Sequence, residues 1–233
     1  MRHARLRRCL MVLALLSVAA AAETPTLTFK FKTIKVKGAQ TTAIYGVNNA
    51  GTMVGSYVDS SGVRHGFSLS GGKVSTLDDP KGTDTYCFAI NKAGAIVGYY
   101  ATSSHTAQAF LLQKGKFRDI GPAGSSGSQA LGINDYGDIN GNFGDAKGSH
   151  GFLLKAGHYR TLDVPGAQDT LGGGINNAGL MTEVWLDSSF SSESSLYNGK
   201  SYKKINVPGE PNSATNTPLG VNSWMQSSLE SAT

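Results

Sequence analysis

A short pattern, Gly/Ala-Ile/Val-Asn-x-x-Gly, returns at nearly constant intervals along this chain and limits its fold more than any other feature. It reads Gly46-Val47-Asn48-Asn49-Ala50-Gly51, Ala89-Ile90-Asn91-Lys92-Ala93-Gly94, Gly132-Ile133-Asn134-Asp135-Tyr136-Gly137 and Gly174-Ile175-Asn176-Asn177-Ala178-Gly179, with a degraded copy at Gly220-Val221-Asn222-Ser223. Asn at the first corner of a type I turn and Gly at the position of positive φ make each copy a hairpin corner. The turn asparagines at 48, 91, 134, 176 and 222 lie 43, 43, 42 and 46 residues apart. A period near 43 is that of four-stranded propeller blades.

Each period holds four candidate strands, a to d in chain order. Strand a is an alternating segment, Phe31–Ile34, Val74–Leu77, Phe117–Ile120, Tyr159–Leu162 and Tyr202–Ile205, and a turn such as Asp163-Val164-Pro165-Gly166 follows it. The two-residue alternation marks strand and excludes helix. Strand b enters the Asn-x-x-Gly corner and strand c leaves it, as Met53–Tyr57, Ile96–Tyr100, Ile139–Phe143 and Met181–Trp185. A Gly interrupts c in three copies, and Glu183 replaces it in the fourth; room for a neighbouring repeat is the expected reason for Gly. Strand d is His65-Gly66-Phe67-Ser68-Leu69, Gln108-Ala109-Phe110-Leu111-Leu112 and His150-Gly151-Phe152-Leu153-Leu154.

These motifs in fixed order, Gly-Ile-Asn-x-x-Gly, Ile-Val-Gly-x-Tyr, His-Gly-Phe-Leu-Leu and Asp-x-Pro-Gly, resemble the HAF repeat family of bacterial exported proteins over residues 29–222. The fourth repeat departs from it, with a serine-rich loop at 188–195 and Ser195-Leu196-Tyr197 where His-Gly-Phe is expected. The resemblance implies an extracellular or surface repeat protein and no established activity.

The architecture expected is all-β: four-stranded units closing as a five-bladed β-propeller with an imperfect last blade, the alternatives being an incomplete ring or an open stack. Closure would need a fifth c strand from the tail at 224–229, paired with the N-terminal strands. Arg2, Arg5, Arg7 and Arg8 before an apolar run from Leu10 to Val18, then Ala20-Ala21-Ala22, predict a signal peptide over residues 1–22 and one domain over 23–233. The apolar run is too short to span a bilayer. The chain has 21 Lys+Arg and 16 Asp+Glu, and loss of the four signal arginines leaves 17 against 16. A neutral mature domain argues against nucleic-acid or anionic-membrane partners. With Cys9 in the signal, Cys87 has no partner for a disulfide and reads as a buried structural thiol.

No motif carries catalysis, a cofactor or a metal. His65 and His150 read as structural hydrogen-bonding residues, Asp78 and Asp163 as turn caps, His105 and His158 as surface residues, and Asn134–Gly141 as a hairpin instead of a calcium loop. Leu171–Gly174 lacks the Lys-Ser/Thr and helix of a phosphate loop. The aromatics that end strand c, Tyr57, Tyr100, Phe143 and Trp185, are the candidate ligand-binding residues, able to stack on sugar rings or to fill space between repeats. The expected function is that of an exported, monomeric, non-catalytic binding module at or outside the cell surface, extracellular, surface-held or periplasmic, for a glycan or a protein. A propeller hydrolase acting on glycans and a structural envelope protein are the alternatives. Converging carboxylates in a central pocket would favour the hydrolase; a lining of Lys, Thr and Ser would favour binding.

Overall fold

The computed structural model describes residues 30–205 and 220–221. Predicted signal and tail residues, including 1–22, Asn222 and 224–229, lie outside these. The chain divides into two units, of which the second, Ile34–Thr233, holds every strand.

Among the described residues, sixteen strands form four antiparallel sheets of four. The first contains β1 (Thr41–Val47), β2 (Met53–Val58), β3 (Arg64–Ser70) and β4 (Lys73–Leu77). The second contains β5 (Asp84–Ile90), β6 (Ile96–Ala101), β7 (Ala107–Gln113) and β8 (Lys116–Asp119). The third contains β9 (Gly127–Ile133), β10 (Ile139–Asp145), β11 (Gly148–Lys155) and β12 (His158–Leu162). The fourth contains β13 (Asp169–Ile175), β14 (Met181–Leu186), β15 (Ser192–Tyr197) and β16 (Tyr202–Lys204). Strand order follows chain order in every sheet. A blade is therefore b-c-d-a, and strand a closes the sheet before it as the outer edge. Phe31–Ile34, expected to be a strand, is not one. Each of the other a strands pairs with the d strand that precedes it through a tight hairpin, and among the described residues no d strand precedes Phe31.

Successive sheets pack face to face, giving one apolar layer per junction. Val54 of the first blade packs with Cys87, Ile96, Tyr100 and Phe110 of the second. Val97 and Leu111 of the second meet Ile139 and Phe152 of the third, and Leu162 of the third meets Met181 and Tyr197 of the fourth. The innermost strands β1, β5, β9 and β13 surround a common cavity. This is a β-propeller with four complete blades among the described residues, where five were expected. Gly220 and Val221 line the same cavity.

The asparagine corner is a repeat-to-repeat joint as well as a turn. Asn91 Oδ1 accepts from the amides of Ala93 and Ala95 within its own hairpin, while Gly94 adopts φ +77°. Asn91 Nδ2 donates to the carbonyl of Asn134 in the next blade at 3.1 Å. Asn48 donates in the same way to Asn91, and Asn134 to Asn176. Asp135 extends the joint, accepting from the amide of Lys92 and from Asn177 Nδ2, so this carboxylate is occupied by protein donors.

The strand-c glycines serve their own blade, not a neighbouring repeat as expected. A Cβ on Gly98 would meet the Tyr86 carbonyl of β5 and the Phe110 ring of β7, both in the same sheet, and Gly141 stands likewise against Gln129 and Phe152. The fourth blade replaces both partners together. Register sets Glu183 opposite Ser195, as Gly55 is opposite Phe67, Gly98 opposite Phe110 and Gly141 opposite Phe152. Glu193-Ser194-Ser195 thus takes the place of His-Gly-Phe, two residues earlier than the sequence pattern suggested. The serine-rich loop expected at 188–195 is half strand, since β15 starts at Ser192.

Candidate functional site: the central cavity

The cavity has a volume of about 600 Å³, within the roughly 300–1,000 Å³ typical of small-molecule sites. Each inner strand supplies one wall. At the bulge in β1, between Ile44 and Gly46, Tyr45 is turned out of the ladder. The matching bulge in β5 does the same to Phe88, one period later. The two rings stack across the blade junction, centroids 4.7 Å apart and 16° from parallel. Phe88 also stacks on Tyr99 at 5.7 Å, and Tyr99 on Tyr86 at 4.4 Å. Four aromatic side chains from two blades thus form one continuous stack, of which Tyr45 and Phe88 line the cavity and Tyr99 and Tyr86 extend it beyond the lining.

Polar groups gather at its edge. The Arg64 guanidinium lies 4.9 Å from the Tyr86 ring centroid, and its Nη1 donates to Ser56 Oγ at 3.2 Å. Burial, reinforced by the neighbouring Tyr86 hydroxyl, pushes the Tyr99 phenol up, so it stays a neutral hydroxyl at any ordinary pH. The third blade continues the lining with the amides Gln129 and Asn142, and the fourth with Leu171 and Val184. No Asp or Glu is among the described residues of the lining, and Ser192 is the sole member of the Lys, Thr and Ser set. The lining is mainly apolar, with a few planar polar groups.

This platform was missed in the sequence. The four residues singled out there lie elsewhere, one per blade, and no two are in ring contact. Tyr57 stacks on His65 at 5.0 Å and its hydroxyl meets Thr76 Oγ1. Tyr100 is buried in the junction of the first two blades, its hydroxyl 3.4 Å from Asp119 Oδ1. Phe143 packs on the core beside His150, and Trp185 faces a cleft between the third and fourth blades. A usable signal did exist: Tyr45 and Phe88 are one 43-residue period apart, and Tyr86 and Tyr99 have Gln129 and Asn142 at the equivalent places of the next repeat.

The histidines expected to be structural sit in paired carboxylate clamps. His65 Nδ1 is 2.8 Å from Asp78 and Nε2 is 3.3 Å from Asp59; His150 Nδ1 is 3.0 Å from Asp163 and Nε2 is 3.1 Å from Asp145. Each clamp ties the c–d turn to the end of strand a. Cys87 is fully buried, its thiol pushed up to about 12 by desolvation. His105 and His158 are exposed. Among the described residues no group of His, Cys, Asp and Glu is arranged to hold a metal, and no helix is long and apolar enough to cross a membrane.

Fold and cavity define a β-propeller with an aromatic central site. No protein-family model and no curated protein matches the sequence. Solved structures do match. AofleA from Arthrobotrys oligospora, as a triple arginine mutant, aligns at 16% identity over 74% of this chain and 59% of its own, with a TM-score of 0.47. This chain therefore spans under two thirds of that protein's length. The Aleuria aurantia lectin aligns at 9% identity over 75% of this chain and 79% of its own, with TM-scores of 0.34 in complex with α-methyl-L-fucoside and 0.36 in a structure described as a six-bladed β-propeller.

Proposed function

We propose that this chain is an exported β-propeller of the HAF repeat type that binds carbohydrate in its central cavity without catalysing a reaction. The observation that carries this reading is the stacked Tyr45–Phe88 pair that lines the cavity together with the amides Gln129 and Asn142, backed by Tyr99 and Tyr86. A sugar ring has an apolar C–H face and a polar rim. An aromatic pair and two planar amides lining one cavity offer a surface for each. Glycoside hydrolysis needs two carboxyl groups about 5–10 Å apart flanking the bond, and the described lining supplies none.

The five-bladed form of the fold belongs to the same proposal. The segment ahead of β1 is built like a junction between blades: Ala39 N bonds Val36 O and Val36 N bonds Thr42 Oγ1. The second junction repeats this with Gly82, Asp79 and Thr85, and the last with Ala167, Val164 and Thr170. Elsewhere such a turn follows an outer strand of the preceding blade. Val36 is therefore placed as if a blade preceded the first, and Gly220-Val221 lines the cavity where that blade's inner strand would run.

Isothermal titration after a glycan-array screen tests the function. The wild-type domain should bind at least one neutral saccharide, and Phe88→Ala, Tyr45→Ala and Gln129→Ala should each weaken it tenfold or more with melting retained. A blank array, or variants that bind as the wild type does, would overturn the reading.

A further inference from the structure

The fourth blade breaks the repeat at three neighbouring positions, and the break opens space. Where the other blades set Gly against Phe, it has Glu183 and Ser195; where two of them have His, it has Glu193. Loss of the phenylalanine leaves a cleft of about 610 Å³ between the outer edge of the third blade and the face of the fourth. Trp185, Ser195, Tyr197 and Tyr202 form its floor, and Arg160, Lys200 and Lys204 stand around it.

Two features point to a ligand. First, polar atoms at this junction are buried without a partner: Ser195 Oγ and Trp185 Nε1 on the cleft, with Glu183 Oε2 and Asn140 Oδ1 behind them. Ser195 is 1% exposed and Glu183 fully buried. An orphaned buried donor or acceptor costs about 1–3 kcal/mol, so several at one junction call for a polar occupant. Second, the cleft has positive charge to spare. Lys204 is paired with Glu193 at 2.8 Å, and the lining carboxylate Asp163 is held by His150 at 3.0 Å. Arg160 and Lys200 have no ion-pair partner among the described residues, and Arg160 rests on the Tyr197 ring at 5.3 Å.

We propose that this cleft is a second saccharide site, for a sugar bearing a carboxylate. The sugar ring lies on Trp185 and Tyr202, its hydroxyls satisfy Ser195 Oγ and Trp185 Nε1, and Arg160 and Lys200 meet its acid group. Ligand class here rests on the carbohydrate reading above, whereas location does not: the cleft and the central cavity share no described lining residue.

The test is titration of the folded domain with a trigalacturonide and with its methyl ester, which keeps every ring and hydroxyl but masks the charge. The free acid should bind at least tenfold more tightly than the ester. The double variant Glu183→Gly with Ser195→Phe rebuilds the pattern of the other blades, fills the cleft and should abolish this binding while a cooperative melt persists. Arg160→Ala and Lys200→Glu, both on the surface of the cleft, should each weaken it tenfold and serve if the double variant does not fold. Phe88→Ala in the central cavity should leave it unchanged. Equal affinity for acid and ester, no binding of the acid, or acid binding that survives the cleft variants and is lost in Phe88→Ala would overturn the proposal. Acid binding at the cleft beside a blank neutral-glycan array would uphold it while sinking the central-cavity reading.

Discussion

Asn91 donates its side-chain Nδ2 to the backbone carbonyl of Asn134, 3.1 Å away and 43 residues on in sequence. One amide thus closes a hairpin with its oxygen and joins two blades with its nitrogen. Asn91→Ala removes both functions at a buried position, leaving the amide of Ala95 and the carbonyl of Asn134 to find other partners. A loss of about 2–3 kcal/mol is expected from the bonds broken. Urea denaturation of the domain measures it. A midpoint equal to wild type would mean that the asparagine chain contributes nothing to blade cohesion.

The histidine clamps predict a pH window. Burial alone would lower the pKa of His65 and His150, but hydrogen bonds and charge from the flanking aspartates outweigh it and raise both above the ordinary value of 6.5. A raised histidine stabilises the fold fully below 6.5, and that contribution fades as pH rises through the higher folded value. Asp59 and Asp145 are lowered below 3.8: for Asp59 desolvation opposes the shift and the amides of Val63 and Ser61 with His65 outweigh it, while for Asp145 the Lys147 amide leads, against desolvation and with help from His150. Their contribution is present above 3.8 and fades as pH falls through the lower folded value. The clamps therefore help most between these limits. His65→Gln with His150→Gln imitates the second blade, which carries Gln108 at this position, and should flatten the melting temperature between pH 6 and 8. An unchanged pH profile in the double variant would show that other groups set it.

Much of this molecule could be read from its sequence, and the reasons the rest could not are physical. Asn and Gly impose a turn through local dihedral preference, so Asn48, Asn91, Asn134 and Asn176 marked the hairpins. Periodicity has no phase, however: it gave four strands per repeat but not that Val74–Leu77 closes the first blade instead of opening the second. The central aromatic stack was not legible because the strand-c aromatics recur, and recurrence points to them first. Tyr57, Tyr100 and Phe143 recur because each blade needs a similar filler beside strand d. Tyr86, Tyr99 and Arg64 have no counterpart of the same residue type in the other repeats, and it is where a repeat departs from itself that its surface becomes specific. Glu183 was noticed as an exception, but its compensation by Ser195 depended on cross-strand register, which the misplaced His-Gly-Phe alignment hid by two residues.

Ring closure makes a prediction about the chain end. Val36 and Thr42 reproduce the junction found between blades, and Val221 lines the central cavity. If a fifth blade is completed there, deleting residues 223–233 exposes apolar faces on both sides. Melting temperature should fall, and the shortened chain should self-associate in light scattering. An unchanged melt and monomer size would leave an open arrangement of blades as the better description.

Glu183 gives the sharpest separation of fold from ligand. Desolvation pushes its carboxyl up to about 8, against a hydrogen bond from Asn140 that lowers it. In the unfolded chain the same group ionises near 4.5. Between those two values the unfolded state releases a proton that the folded state retains, so stability declines as pH rises from 4.5 to about 8, by a few kcal/mol at about 1.4 per pH unit. Glu183→Gln preserves shape and an oxygen for the Asn140 amide but has no proton to lose. It should match the wild type near pH 5 and exceed it at pH 9 in urea denaturation. Because Glu183 lies behind Ser195 and not on the cleft, Glu183→Gln should leave acid-saccharide binding within about twofold at pH 6 while removing the alkaline loss of stability. A variant that lost binding but kept the pH profile would place the carboxyl on the ligand instead of in the core.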